Sequence, residues 1–236
     1  MRVAVLSDIH GFSLAFDSVC QDIHLTGPFD ETIVAGDLCE VGPDPAGVLQ
    51  RLRARPNWRV LKGNTDDDLV NAANDGETGF AIDAISPPGV DWLARLPFAH
   101  RVPAPDGSGD EDDSLLVVHA NPRDLRGRLD PDASDDELRR LLGDARFQTL
   151  AFGHVHISYQ RKLDGRQLVD VSAVGNPKDG DLRSAWGIFT WDERSRTWDS
   201  EIRRVPYPLE ATLAQIAASD LPDPDKVARV LQRASY

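Results

Sequence analysis

Arg2-Val3-Ala4-Val5-Leu6-Ser7-Asp8-Ile9-His10-Gly11 joins an apolar, β-branched run directly to a pair of metal-capable side chains. A short run that is apolar at every position reads as a strand buried on both faces, the pattern of a parallel sheet. Behind it, Phe12, Phe16, Val19, Cys20 and Ile23 fall on one helical face, with Ser13 as the expected N-cap. Residues 32–35 make a second apolar strand that stops at Gly36-Asp37. Asp44 then caps a helix with Pro45 in its first turn and Val48, Leu49 and Leu52 on its apolar face. Residues 58–61 form a third short strand, stopped by Lys62-Gly63-Asn64. This order predicts a parallel sheet with right-handed crossovers.

Further along, residues 87–96 carry a short helix with Val90, Trp92, Leu93 and Leu96. Residues 106–113 read as a solvated, acidic hairpin tip. A strand over 115–118 ends in His119, and Ser134 with Glu137 has capping-box spacing ahead of Leu138, Leu141 and Leu142. The strand over 149–152 ends in Gly153-His154-Val155-His156. Beyond it the pattern is antiparallel: 158–163 and 167–171 flank Asp164-Gly165, and 186–191 pairs with 197–205. Helices over 209–218 and 225–234 follow. No repeat or Pro/Gly linker interrupts the chain, so residues 1–236 read as one domain.

Its 236 residues carry 26 Lys and Arg against 39 Asp and Glu, a net charge of −13. That balance argues against duplex nucleic acid or an anionic membrane as partner, because phosphate backbones need clustered cations. It leaves room for a small phosphorylated substrate, since bound cations reverse the local sign. Two cysteines, Cys20 and Cys39, are too few for a disulfide framework and suit a reducing, cytoplasmic setting. The first apolar run is too short for a signal peptide, and nothing is long enough to span a bilayer. Assembly into a homo-oligomer stays open.

Five strand ends carry polar side chains: Asp8 and His10, Asp37, Asn64, His119, and His154 with His156. Ligands of open α/β sheets gather beyond the carboxyl ends of strands, so these side chains can converge. Four of the six histidines occupy such positions. One histidine alone is more often structural than a ligand; four with three oxygen donors are hard to explain as packing. Residues two apart in extended backbone share a side, which would aim Asp8 with His10 and His154 with His156. Gly11, Gly36, Gly63 and Gly153 would let the backbone turn beside them.

The sequence Asp8-Ile9-His10-Gly11, Gly36-Asp37, Gly63-Asn64, His119 and Gly153-His154-Val155-His156, in that order, resembles the calcineurin-like metallophosphoesterases. Val41-Gly42-Pro43-Asp44-Pro45, Trp92-Leu93 with Leu96-Pro97, and Val174-Gly175-Asn176-Pro177-Lys178-Asp179-Gly180-Asp181 are similar to a bacterial phosphoesterase and diadenosine-tetraphosphatase-like branch. The resemblance implies an α/β fold, a four-layer α/β/β/α sandwich of two mixed sheets. It implies two divalent ions, one on Asp8, His10 and His156, the other on Asn64, His119 and His154, with Asp37 bridging. It also implies catalytic roles for Asp37, Asn64, His154 and Asp66. Imidazole and oxygen donors together suit Mn, Fe, Zn or Ni over Mg or Ca. Two divalent ions against the carboxylates of Asp8 and Asp37 leave a net positive centre, fit to attract a phosphoryl group and acidify water for in-line attack.

Many relatives of this family carry His after the motif Asn; here the run is Gly63-Asn64-Thr65-Asp66. Thr65 donates no proton near neutral pH, which favours diesters or anhydrides over alkyl monoesters. The expected function is therefore metal-dependent hydrolysis of a small phosphodiester or nucleotide-type substrate. Its alternatives are a nonspecific phosphomonoesterase and a non-catalytic protein that binds metal and a phosphorylated ligand. Arg123, Arg126, Lys178 and Arg183 are candidates for a substrate-phosphate contact, against the ordinary reading of each as a solvated cation. Cys39 reads as a buried thiol rather than a ligand, and Trp92 and Phe98 as core rather than base-stacking residues.

Overall fold

In a computed structural model, which describes residues 1–71 and 76–235, the chain forms two five-stranded sheets packed face to face. In the first, β1 (Arg2–Leu6), β2 (Glu31–Val34) and β3 (Arg59–Val60) run parallel. The hairpin of β9 (Ser184–Asp192) and β10 (Thr197–Val205) completes the order β10-β9-β1-β2-β3. In the second, β5 (Leu115–Val118), β6 (Thr149–Phe152) and β8 (Arg166–Asp170) run parallel. Antiparallel β4 (Ala99–Val102) and β7 (Tyr159–Leu163) form its edges. The segment expected to be wholly antiparallel is thus mixed, because β8 pairs with β7 on one side and β6 on the other.

Strand alternation sorts the side chains into layers. Val3 and Val5 of β1 meet Val117, Ala151 and Val169 of the other sheet, together with Trp191 and Trp198. Ala4 and Leu6, one residue out of phase, face the helices α1 (Ser13–Thr26), α2 (Pro45–Arg53), α4 (Gly76–Ala94), α6 (Leu209–Ala217) and α7 (Pro224–Arg233). Beyond the second sheet, Leu138 and Leu142 of α5 (Asp135–Leu142) cover Leu116, Leu150 and Leu168. These are the four layers α/β/β/α.

Asp44 caps α2 by accepting from the Gly47 amide at 2.9 Å. Ser134 and Glu137 close a reciprocal capping box on α5. Ser13 does not cap α1; it is the first helical residue, and Phe12 at the cap position offers no acceptor. Three features have little or no sequence periodicity and appear only in the structure. They are edge strand β4, helix α3 (Asn64–Asn71), and the half of α4 before its break at Ser86. Among the described residues no helix is long and apolar enough to cross a membrane.

Candidate metal centre

All seven expected ligands lie where the carboxyl ends of β1, β2, β3, β5 and β6 converge, across the seam between the two sheets. Asp8, His10 and His156 form one triad, and Asp37, His119 and His154 a second. Asn64 Oδ1 lies 3.0 Å from His119 Nε2, which places the amide in the second group. Asp37 stands between the two. One of its oxygens is 3.6 Å from His10 Nε2 and the other 3.4 Å from His119 Nε2.

The backbone route to this convergence is not the extended one expected. Asp8, His10, Asp37, His154 and His156 are all left-handed, with φ of 57°, 51°, 54°, 67° and 63°. Paired left-handed residues aim both side chains inward, at a cost on the order of 1 kcal/mol or more each. Close backbone approach supports them. A Cβ at Gly153 would sit 2.2 Å from Asp8 Oδ2, and one at Gly63 would sit 2.1 Å from Asp37 Oδ1.

Each histidine has its distal nitrogen committed to a carbonyl. His10 Nδ1 donates to Glu40 O at 3.1 Å, His119 Nδ1 to Ala35 O at 2.8 Å, His156 Nδ1 to Asn176 O at 2.5 Å, and His154 Nε2 to Arg126 O at 3.1 Å. A neutral imidazole with one N–H so placed turns a bare lone pair to the other side. Those lone pairs face each other, His10 Nε2 and His156 Nε2 at 3.2 Å, His119 Nε2 and His154 Nδ1 at 3.2 Å. Two donors each about 2.1 Å from one ion lie roughly 3.0–3.4 Å apart, so both pairs are spaced for a shared cation. Asp8 adds a buried Oδ1 with no hydrogen-bond partner, 3.1 Å from His156 Nε2, while its Oδ2 accepts from the His154 amide. The residues present fit two metal ions.

Burial raises the cost of ionising Asp8, yet the neighbouring His156 and His10 hold its carboxyl well below the usual range. Burial likewise opposes a charge on His10, but Asp8 and Asp37 lift its pKa above the ordinary imidazole value. Opposite charges outweigh desolvation in both cases. At His154, burial and the His119 charge both push the pKa down.

Asp66 is fully buried and accepts from the amides of Asp37 at 2.9 Å, Leu38 at 3.0 Å and Gly63 at 2.8 Å. Its carboxylate is occupied in joining the Asp37 loop to the Asn64 loop. Thr65 donates its amide to Asp37 Oδ1 at 2.9 Å, and its hydroxyl is buried without a partner.

The four candidate cations separate. Arg123 donates to Arg140 O and Arg183 pairs with Asp181. Lys178 is half-buried, and its amide donates to His156 O. Arg126 carries the carbonyl that holds His154, and its guanidinium meets Asp68. Cys39 is buried, its thiol pushed far up first by burial and then by Asp66, so no thiolate is offered. Trp92 packs against the helical core with Arg53 5.7 Å above its ring, whereas Phe98, expected in the core, is exposed and joins no core cluster. The histidine-holding carbonyls of Glu40, Ala35, Arg126 and Asn176 escape sequence reading altogether, because every residue type has one.

Residues 1–193 match the calcineurin-like phosphoesterase superfamily domain, and the chain belongs to that family. Along its length it is 26% identical to an uncharacterized protein of Methanocaldococcus jannaschii, covering 94% of each chain. A symmetrical bis(5'-nucleosyl)-tetraphosphatase of Acidovorax sp. (strain JS42) is 33% identical over 51% of this chain and 44% of its own. The chain thus spans about half the length of that curated relative. A metallophosphoesterase from Sphaerobacter thermophilus superposes with a TM-score of 0.79 at 23% identity, over 99% and 100% of the two chains.

Proposed function

We propose that the protein hydrolyses a small phosphodiester or nucleotide-type phosphoric ester or anhydride at a dinuclear metal centre. Asp8, His10 and His156 would hold one ion, Asn64, His119 and His154 the other, and Asp37 both. The observation that carries this is the pair of facing imidazole lone pairs at 3.2 Å on either side of a carboxylate that offers one oxygen to each. Mn, Fe, Zn or Ni suits this donor set better than Mg or Ca. Divalent ions bound there neutralise phosphoryl charge and acidify water near neutral pH.

This chain's own residues supply the rest. The carbonyls of Glu40, Ala35, Arg126 and Asn176 lock each imidazole in the tautomer that leaves a lone pair inward. Asp66 positions Asp37 and Asn64 by accepting from the amides of Asp37, Leu38 and Gly63. No imidazole follows Asn64, so a leaving group must depart without a proton from position 65. Diesters and anhydrides meet that condition better than alkyl monoesters, and the tetraphosphatase relatives support the same direction. Free Cys20 and Cys39 support a reducing, cytoplasmic setting for a single-domain enzyme. The test is turnover by manganese-loaded protein of bis-nitrophenyl phosphate against nitrophenyl phosphate. A higher rate on the diester supports the proposal, and monoester preference points to a phosphomonoesterase. Two bound metals with no turnover of either would overturn it in favour of a ligand-binding role.

A further inference from the structure

We propose that Arg126 is an exchangeable phosphate ligand, parked on Asp68 in the resting protein and transferred to a phosphoryl oxygen when substrate binds. This deepens the function proposed above and rests on it.

Both partners of the pair are rooted on the same metal triad. Asn64 and Asp68 stand four residues apart on α3, so they share one helical face about one turn apart. Asn64 marks that face as the one turned to the site, with Oδ1 3.0 Å from His119 Nε2. From the opposite sheet, the loop after β5 brings in Arg126, whose carbonyl accepts from His154 Nε2 at 3.1 Å. Buried Asn121 sets that loop. Its Oδ1 accepts from the amides of Arg123 at 2.8 Å and Asp124 at 3.0 Å, and its Nδ2 donates to Gly127 O at 2.8 Å. The guanidinium then reaches across the seam to Asp68, donating from Nη2 to Oδ1 at 2.6 Å and from Nη1 to Oδ2 at 3.3 Å.

The strength of this pair suits exchange. The side chains are 57% and 40% exposed, so water competes for both partners and the pair holds weakly. A phosphate monoanion offers the same fork geometry with equal charge and a dianion with more, and beside a cationic centre either is already held in place. Asp68 is therefore the competitor that sets how much of Arg126 a phosphorylated ligand can recruit. A merely structural ion pair makes a different demand, and the two roles separate by sign. Breaking a structural pair from either end has the same effect. Breaking an exchange pair has opposite effects, because one variant frees the arginine and the other removes it.

The experiment is calorimetric titration of inorganic phosphate into manganese-loaded wild type, Asp68→Asn, Arg126→Ala and the double variant, with metal content measured on each. We expect Asp68→Asn to bind phosphate about threefold or more tighter and Arg126→Ala about tenfold or more weaker. The Asp68→Asn gain should vanish in the Arg126→Ala background. Equal affinities for wild type and Arg126→Ala, or weakening by both single variants, would overturn the exchange while leaving the phosphoesterase reading intact. Wild type with two metals and no phosphate binding would defeat both.

Discussion

Replacing Asp66 by alanine separates a positioning role from a chemical one. The substitution strips the acceptor from three buried amides, those of Asp37, Leu38 and Gly63. An unsatisfied buried amide costs roughly 1–3 kcal/mol, so the loss centres near 6 kcal/mol. Part of this is returned. Burial and the charge of Asp37 raise the Asp66 pKa from 3.8 to about 6. Keeping it ionised at pH 8 without metal therefore costs about 3 kcal/mol, at 1.36 kcal/mol per pH unit, and alanine has no such charge. The net destabilisation is about 3 kcal/mol, or a fall of roughly 6–12 °C in melting temperature for a chain of this length. Scanning calorimetry in chelator at pH 8 measures the first effect, and elemental analysis after manganese loading measures the second. We expect Asp66→Ala to lose metal along with activity, because the loops carrying Asp37 and Asn64 are no longer joined. An Asp66→Ala protein with wild-type melting and both metals but no turnover would refute this reasoning and make Asp66 a participant in the chemistry.

Asp37→Asn should lower occupancy of both metal positions and activity together, since its two oxygens face opposite triads; full occupancy by elemental analysis would refute the bridge. Activity should fall steeply as pH drops, because protons compete with metal for the imidazoles, and for His10 the carboxylates of Asp8 and Asp37 favour the protonated form of the metal-free ring. Excess manganese should restore rate at acid pH if this is the cause. Asp170 is buried with Oδ2 unpartnered, and burial raises its pKa well above 3.8. The folded state then holds a proton that the unfolded state has released, so this group's stabilisation is present below about pH 4 and declines by about 1.4 kcal/mol per pH unit until the folded pKa is passed. Asp170→Asn should remove that slope from a denaturation series taken upward from pH 4, and parallel slopes would refute it. Ser86, at φ 59° and ψ 169°, occupies a region that suits glycine, so Ser86→Gly should raise stability by about 1 kcal/mol in the same assay.

Much of this architecture is legible along the chain. Strands β1, β5 and β6 announce themselves as short apolar runs, and each ends at a metal-capable residue, because a parallel strand buried on both faces leaves polarity only at its tip. The candidate ligands and their order need no coordinates, nor do the Asp44 and Ser134 caps, since caps depend on residues three or four positions apart. Edge strand β4, Ala99-His100-Arg101-Val102, is invisible by the same logic, because one side of an edge strand is open and its apolar signal is weak. Only the tertiary structure shows that the candidate ligands turn inward through left-handed backbone and that Asp66 clasps two loops by their amides. It alone also reveals that four carbonyls from distant segments set the histidine tautomers. Those contacts are made by main-chain atoms common to all residues, or across separations as large as the 84 positions between Ala35 and His119, and no local pattern encodes them.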